Sequence, residues 1–229
     1  MARSMKESRQ FNISVEGINC EKMYFDHLAN LINTSGQNKF NASMNCRKAS
    51  PSSFAKRNAH KNIGRHKGKN LPYFHIQDIE DYYDGNERRK FYSLLDELRE
   101  TESDFGISYE LGYTNYTFEL WMLLHAADMK APVMDRTAYL APINRYFRRN
   151  YTSLSQFKSE AEFQKILDEY VTLDSVRLAV KRADAIVAQN KADKKKCENH
   201  RKFCFFRDNP DVSVHKIIKI IFDVCGVEL

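Results

Sequence analysis

Along the N-terminal half of the chain, apolar positions switch repeatedly between a two-residue period and a helical one. Phe11-Asn-Ile-Ser-Val15 alternates and predicts a strand that stops at Glu16-Gly17. From Glu21 to Asn33 the period lengthens, and Met23, Tyr24, His27, Leu28, Leu31 and Ile32 share one side of a predicted helix. Lys39 to Cys46 predicts a second strand. Ser50-Pro51-Ser52 opens a helix, because Ser caps well and Pro is tolerated in a first turn. Residues 63–70 are Gly- and Lys-rich and predict a loop. Leu71 to Gln77 predicts a third strand ending at Asp78, and Asn86 to Arg99 a helix with Phe91, Leu94, Leu95 and Leu98 as its stripe. A fourth strand is predicted at Phe105–Tyr109 and a short apolar helix at Phe118–Ala127. Beyond about residue 130 the strand pattern disappears. Helices are predicted at Leu154–Tyr170 and Asp174–Lys196, and, after Asn209-Pro210 with Ser213 as cap, at Val214–Phe222.

This order predicts an α/β fold, a parallel sheet flanked by helices with a C-terminal helical extension. Residues 1–129 form the expected core, and 130–229 a helical region packed on it. The 229 residues suit one domain of this kind, and 42% hydrophobic content supplies a core. With 8 glycines and 5 prolines, collagen-like and linker-dominated chains are excluded. No apolar run approaches the roughly 20 residues that span a bilayer, and Met1–Gln10 has no apolar segment. A cytoplasmic protein without a membrane partner is expected. Five widely spaced cysteines predict reduced thiols.

The net charge of +6 says less than its distribution. Between Cys46 and Lys69 stand eight cations, among them Arg47, Lys48, Lys56, Arg57, Lys61, Arg65 and Lys67, and no acid. From Asp78 to Asp104 ten acids meet four cations, and Lys191–Arg207 is basic again. A basic segment beside an acidic centre suits a polyanion held near a metal; a solvated basic loop is the plainer alternative.

In open α/β sheets ligands collect beyond the carboxyl ends of the strands. Two predicted strands end there in acids, at Val15-Glu16-Gly17 and at Gln77-Asp78-Ile79-Glu80-Asp81. An extended backbone sends Asp78 and Glu80 to the same side. If the strands are neighbours, three carboxylates converge, and a hard cation such as Mg²⁺ or Mn²⁺ relieves their repulsion. One carboxylate left free of metal can move protons. The plainer alternative is a set of solvated loop acids. Other candidates carry less. Cys197-x2-His200-x3-Cys204 has partial zinc spacing but lacks a fourth ligand. His125 and Trp121 read as packing residues. Arg145, Arg148 and Arg149 fit either a phosphate grip or a solvated face. No Gly-rich phosphate loop appears, so this chain is not expected to hydrolyse ATP itself.

The run Ser14-Val-Glu-Gly-Ile-Asn-Cys-Glu-Lys-Met-Tyr-Phe25 resembles the opening motif of RloB-like (AbiLii-type) abortive-infection proteins. Asn115-Tyr-Thr-Phe-Glu-Leu-Trp-Met-Leu-Leu-His125 resembles their second signature, and Asn209-Pro210 followed by Val214-His215-Lys216 their C-terminal motif. The resemblance implies a Toprim-like metal-binding fold. It implies a nuclease of phage defence acting on DNA or RNA, transfer RNA included, with a separately encoded ATPase as partner. Glu16 matches the strand-end acid/base or ligand, Asp78 and Glu80 the metal pair, and Glu21 and Glu119 further acids of the pattern. Cys20 and Glu80 depart from it, and Asp81 offers a competing register for the metal pair. A non-catalytic nucleic-acid- or ATPase-binding subunit is the alternative, and homo-oligomerisation stays open.

Overall fold

The computed structural model describes residues 6–17, 19–58 and 71–229. The chain runs β1 (Ser8–Val15), α1 (Cys20–Thr34), β2 (Asn41–Lys48), α2 (Pro51–Asn58), β3 (Tyr73–Asp78), α3 (Gly85–Phe105), β4 (Tyr109–Asn115) and α4 (Glu119–Leu124). A 3-10 turn at Arg136–Tyr139 leads into α5 (Leu140–Tyr146), α6 (Leu154–Phe157), α7 (Glu160–Tyr170) and α8 (Leu173–Ala192). The chain closes with β5 (Cys197–His200), β6 (Phe203–Phe206), β7 (Asp211–Val212) and α9 (Val214–Cys225). The fold is α/β, with a mostly parallel central sheet flanked by helices.

The sheet order is β2-β1-β3-β4-β7; the first four strands are parallel and β7 pairs antiparallel with β4. Phe11 to Val15 are buried on both faces, as a central parallel strand requires. Phe11, Ile13, Phe74 and Ile76 pack in one core with Tyr24, Phe25 and Leu28 of α1, Val176 and Val180 of α8, and Ile217, Ile218 and Ile221 of α9. Tyr73, Tyr109, Leu111 and Tyr113 pack in a second core with Phe54 of α2, Phe91, Leu95 and Leu98 of α3, and Phe203 and Phe205 of β6. Gly112 lets α9 approach: a Cβ there would meet Ile217 Cδ1 at 2.7 Å and Ile76 Cδ1 at 2.8 Å.

Several boundaries differ from the hydropathy pattern. Helix α3 runs to Phe105, six residues past Arg99, because buried Thr101 and Glu102 continue its inner face. It stops only at Gly106, which takes the left-handed conformation (φ 60°). The strand predicted at 105–109 therefore begins at Tyr109. The stretch predicted as one helix over 154–170 is two helices, broken at Lys158–Ser159. The C-terminal hundred residues are not wholly helical: β5 and β6 form a hairpin and β7 extends the main sheet. Ser213 stands at the N-cap of α9, but its side chain makes no capping bond. Its hydroxyl accepts from Tyr113 N and donates to Leu111 O, tying α9 to β4. Cys197 and Cys204 form a disulfide across the β5–β6 hairpin, where reduced thiols were expected, while Cys20, Cys46 and Cys225 are free and buried. His200 of the partial zinc spacing bonds Asp96 instead, at 2.9 Å. Among the described residues, no helix is long and apolar enough to cross a membrane.

Candidate metal and catalytic site

Strand β1 lies between β2 and β3, so the chain leaves it toward one side and returns on the other. The β1/β3 boundary is therefore the topological switch point, where the connections part and leave a crevice. Glu16 follows β1 and Asp78 ends β3. Backbone pairing holds them side by side: Glu16 N donates to Ile76 O at 3.2 Å. One Glu16 carboxylate oxygen accepts from Asp78 N at 3.3 Å and from the Gln77 side-chain amide.

A cavity of about 350 Å³ opens at this point, lined by Glu16, Glu21, Asp78, Glu80 and Glu119 together with Lys158, Cys20 and Phe118. Helices α1 and α4 and the break between α6 and α7 supply the groups beyond the two strand ends. Glu21 stands in the first turn of α1, where the helix N-terminus favours a carboxylate. Glu119 opens α4, is 1% exposed, and its Oε2 has no hydrogen-bond donor among the described residues. Its Oε1 faces Lys158 Nζ at 2.8 Å, an ion pair across the cavity. Asp78 Oδ1 accepts from Thr114 Oγ1 at 2.7 Å. Glu80 reaches Arg136 at 3.1 Å.

The electrostatics follow from crowding carboxylates in a partly dry space. Burial pushes Asp78 well above the ordinary aspartate range, and the charges of Glu21 and Glu119 push it further. Glu21 and Glu16 are also raised, in each case chiefly by burial. For Glu16 the Asp78 backbone N–H opposes the rise and Glu80 adds to it. Burial raises the Cys20 thiol to about 12, with Glu21 and Glu119 adding to the effect, so it stays protonated and is no nucleophile.

Of the acids nominated by sequence, Asp81 alone lies elsewhere. Ile79 N bonds Thr114 O at 2.9 Å, which keeps the backbone extended past β3 and sets Asp78 and Glu80 on one side. Asp81 then begins a turn, accepts from Tyr83 N at 2.9 Å, and lines a separate cavity. Arg47 and Lys48 are exposed at the carboxyl end of β2, where Lys48 stands level with Val15. Lys56 and Arg57 are exposed on α2. Lys61, Arg65 and Lys67 lie outside the described residues, as does the loop predicted at 63–70. His125 is a packing residue, 4% exposed, bonded to Trp121 O and to the Tyr24 hydroxyl. Arg149 is engaged by Glu169 at 2.7 Å.

The pattern missed Lys158, Gln77 and Thr114. For Lys158 a signal existed: Ser159-x-x-Glu162 has the spacing of a helix start, which places Lys158 in a break rather than on a helix face. Gln77 and Thr114 are ordinary strand residues, and only the pairing of β1, β3 and β4 gives them their partners.

Residues 11–221 match the family model described as RloB-like protein. The chain belongs to the RloB-like family. Neither a curated protein nor a solved structure matches it.

The donor set of this RloB-like chain suits a hard cation. Five carboxylates share the cavity with one ammonium, and Glu119 Oε2 lacks a donor. Among the described residues no three His, Cys, Asp or Glu side chains already enclose a single metal position. Mg²⁺ does not require that, since it commonly takes one or two carboxylates and fills its remaining positions with water and phosphate oxygens. Asp78 and Glu119, with Glu16, Glu21 or Glu80, would hold it.

Gly17 belongs to the site for a steric reason. A Cβ there would meet the Glu21 carboxylate carbon at 2.7 Å. The obstacle is the end of a flexible side chain, so Gly17→Ala is expected to fold normally, with a melting temperature within about 2 °C of wild type, a shift worth at most about 1 kcal/mol in a domain of this size. It should displace Glu21 from the cavity and weaken Mn²⁺ binding several-fold, as read by isothermal titration. Unchanged Mn²⁺ affinity would show that Glu21 is not part of the ion's surroundings.

Proposed function

We propose that this RloB-like chain is a divalent-cation-dependent nuclease that cleaves phosphodiesters in DNA or RNA. The observation that carries the proposal is the meeting of Glu16, Glu21, Asp78, Glu80 and Glu119 in one cavity at the switch point of the sheet. A carboxylate cluster with one ammonium repels a polyanion. A site of this composition accepts phosphate only when cations offset its charge, and bound Mg²⁺ or Mn²⁺ would supply that charge and polarise a phosphoryl oxygen.

The protein's own groups have separable tasks. Glu16 lies at the rim, is raised above the ordinary carboxylate range, and is held by Gln77 and the Asp78 backbone. It takes a proton from the attacking water or hydroxyl. Asp78 and Glu119 bind the cation. Lys158 offers its ammonium to a phosphoryl oxygen when it releases Glu119. Arg47 and Lys48, beside Glu16 at the sheet edge, neutralise the flanking backbone phosphates. The Toprim-like arrangement and the setting in abortive infection, with a separately encoded ATPase as partner, are carried by the family resemblance.

Purified chain, alone and with its separately encoded ATPase partner, is expected to cut labelled DNA or RNA with Mn²⁺ or Mg²⁺ and to stop on chelation. Cleavage that survives chelation would overturn the metal dependence. Absence of cleavage by both preparations, with toxicity in cells unaffected by folded Asp78→Ala and Glu80→Ala variants, would favour a non-catalytic subunit.

A further inference from the structure

A second cavity, of about 280 Å³, lies directly beside the acidic one. Two segments build both. After β3, Glu80 lines the acidic cavity and Asp81 with Tyr82 and Tyr83 lines the second. After β4, Asn115 and Tyr116 line the second cavity, while Phe118 and Glu119 line the acidic one. Along the chain the two linings are adjacent at Glu80–Asp81 and one residue apart at Tyr116–Phe118.

Its chemistry is of another kind. Three tyrosines contribute aromatic surface, and Tyr83 is 63% exposed, the most solvent-facing ring among them. Lys195 and Arg207 also line it. Among the described residues the Lys195 ammonium makes one long bond, 3.4 Å, to Asn209 O. Arg207 lies 5.3 Å from the Tyr82 ring centroid and pairs with Glu198. Its Nε carries a proton with no acceptor among the described residues. Asp81 and Asp208 each spend one carboxylate oxygen on Tyr83, through its N–H and its hydroxyl. The second oxygen of each has no donor among the described residues.

Exposed rings, free acceptors and cations are the three things an unpaired nucleotide needs: a stacking face, partners for base amino groups, and charge for its phosphate. We propose that this cavity is a nucleobase subsite. It holds one unstacked base of a single-stranded segment next to the phosphodiester in the acidic cavity. Tyr83 and Tyr116 stack on the base, Asp81 and Asp208 accept from its exocyclic amino group, and Lys195 takes the adjoining phosphate. The proposal rests on the nuclease reading for its neighbouring site and adds a substrate class to it: single-stranded nucleic acid, or a loop from which a base can turn out.

Fluorescence anisotropy with fluorescein-labelled decamers of adenylate, cytidylate and uridylate, ribo and deoxy, in Ca²⁺, tests it on the full chain. Wild type is expected to bind the adenylate and cytidylate strands more tightly than uridylate, which has no exocyclic amino group. Tyr83→Ala and Tyr116→Ala should each weaken binding about ten-fold or more, with the salt dependence unchanged because the phosphate contacts remain. Tyr116→Phe should restore it, which separates loss of a stacking face from loss of the fold. If both alanine variants bind like wild type while Arg47→Ala and Lys48→Ala bind weakly, the base subsite is overturned and the nuclease reading stands. If no strand binds wild type, the base subsite is overturned, and the cleavage assay with and without the ATPase decides the nuclease reading separately. Tighter binding of free AMP than of any decamer would overturn the strand and assign the cavity to a mononucleotide.

Discussion

Glu16→Gln is expected to lower divalent-dependent cleavage by about 10²- to 10⁴-fold, the usual worth of a positioned general base, while leaving the fold and Mn²⁺ binding near wild type. The geometry makes this a clean substitution. Glu16 Oε2 accepts from the Gln77 amide and from Asp78 N. A glutamine carbonyl can accept both bonds, so the side chain keeps its place and loses only its capacity to carry a proton. The raised pKa of Glu16 adds a signature. Burial lifts it, Glu80 adds to the lift, and the Asp78 N–H opposes it. The single-turnover rate of wild type should therefore climb with pH through a limb displaced above the ordinary carboxylate range, as Glu16 ionises. In the glutamine variant that limb should be missing at equal metal saturation. Equal cleavage by both proteins would remove Glu16 from proton transfer. Loss of Mn²⁺ affinity in the variant would reassign it to metal binding.

How far the site is legible in the sequence depends on which force positions each residue. Glu16 and Asp78 stand out because each ends an apolar run, and a strand that must bury both faces can carry its acid only past its end. Glu80 follows from the two-residue period, which the Ile79–Thr114 bond prolongs beyond β3. Asp81 follows the same acids in sequence but faces another cavity, because the chain turns at that residue. Glu119 is 1% exposed in an apolar helix, and hydropathy alone places it no better than its neighbours; its motif singled it out. Lys158 comes from a lobe that packs back across 138 residues to touch Cys20, a contact no local pattern encodes.

The same reasoning explains the fold. Strands β1, β2 and β3 are legible because alternation or continuous burial writes them locally. The β5–β6 hairpin is not, since its strands have four residues each and a run of cations before them reads as helix. Helix α8 ends at Ala192, and Lys194 and Arg201 adopt positive φ in the turns that follow, where neither residue type advertises a turn. Three of the four parallel strands were therefore readable along the chain, while β4 was placed too early and the antiparallel strands β5, β6 and β7 were not read.

Asp78→Asn should stabilise the metal-free protein while abolishing its response to metal. Asp78 faces the carboxylates of Glu16, Glu21 and Glu119, and Thr114 Oγ1 donates to it. Its pKa in the folded protein stands well above the aspartate value, with burial as the main cause and the neighbouring charges next. A raised folded-state pKa means that the native state holds the proton more tightly than the unfolded chain. The resulting stabilisation is complete below the unfolded aspartate pKa, about 3.9, and is lost as pH rises through the higher folded value. At neutral pH, above the unfolded value, holding this carboxyl in the fold therefore costs the metal-free wild type stability. Asparagine keeps the shape and can still accept from Thr114, but it never ionises. In EDTA at neutral pH the variant is expected to melt several degrees above wild type, where about 1 kcal/mol corresponds to about 2–4 °C in a domain of this size. The gap should close on acidification. Mn²⁺ should raise the wild-type melting temperature by mass action and leave the variant unmoved. A variant that melts below wild type in EDTA, or that gains as much from Mn²⁺, would show that Asp78 is neither the strained carboxylate nor a partner of the ion. The expected pairing of higher stability with lost metal response is the mark of a carboxylate kept at a cost to the fold because it binds a cation.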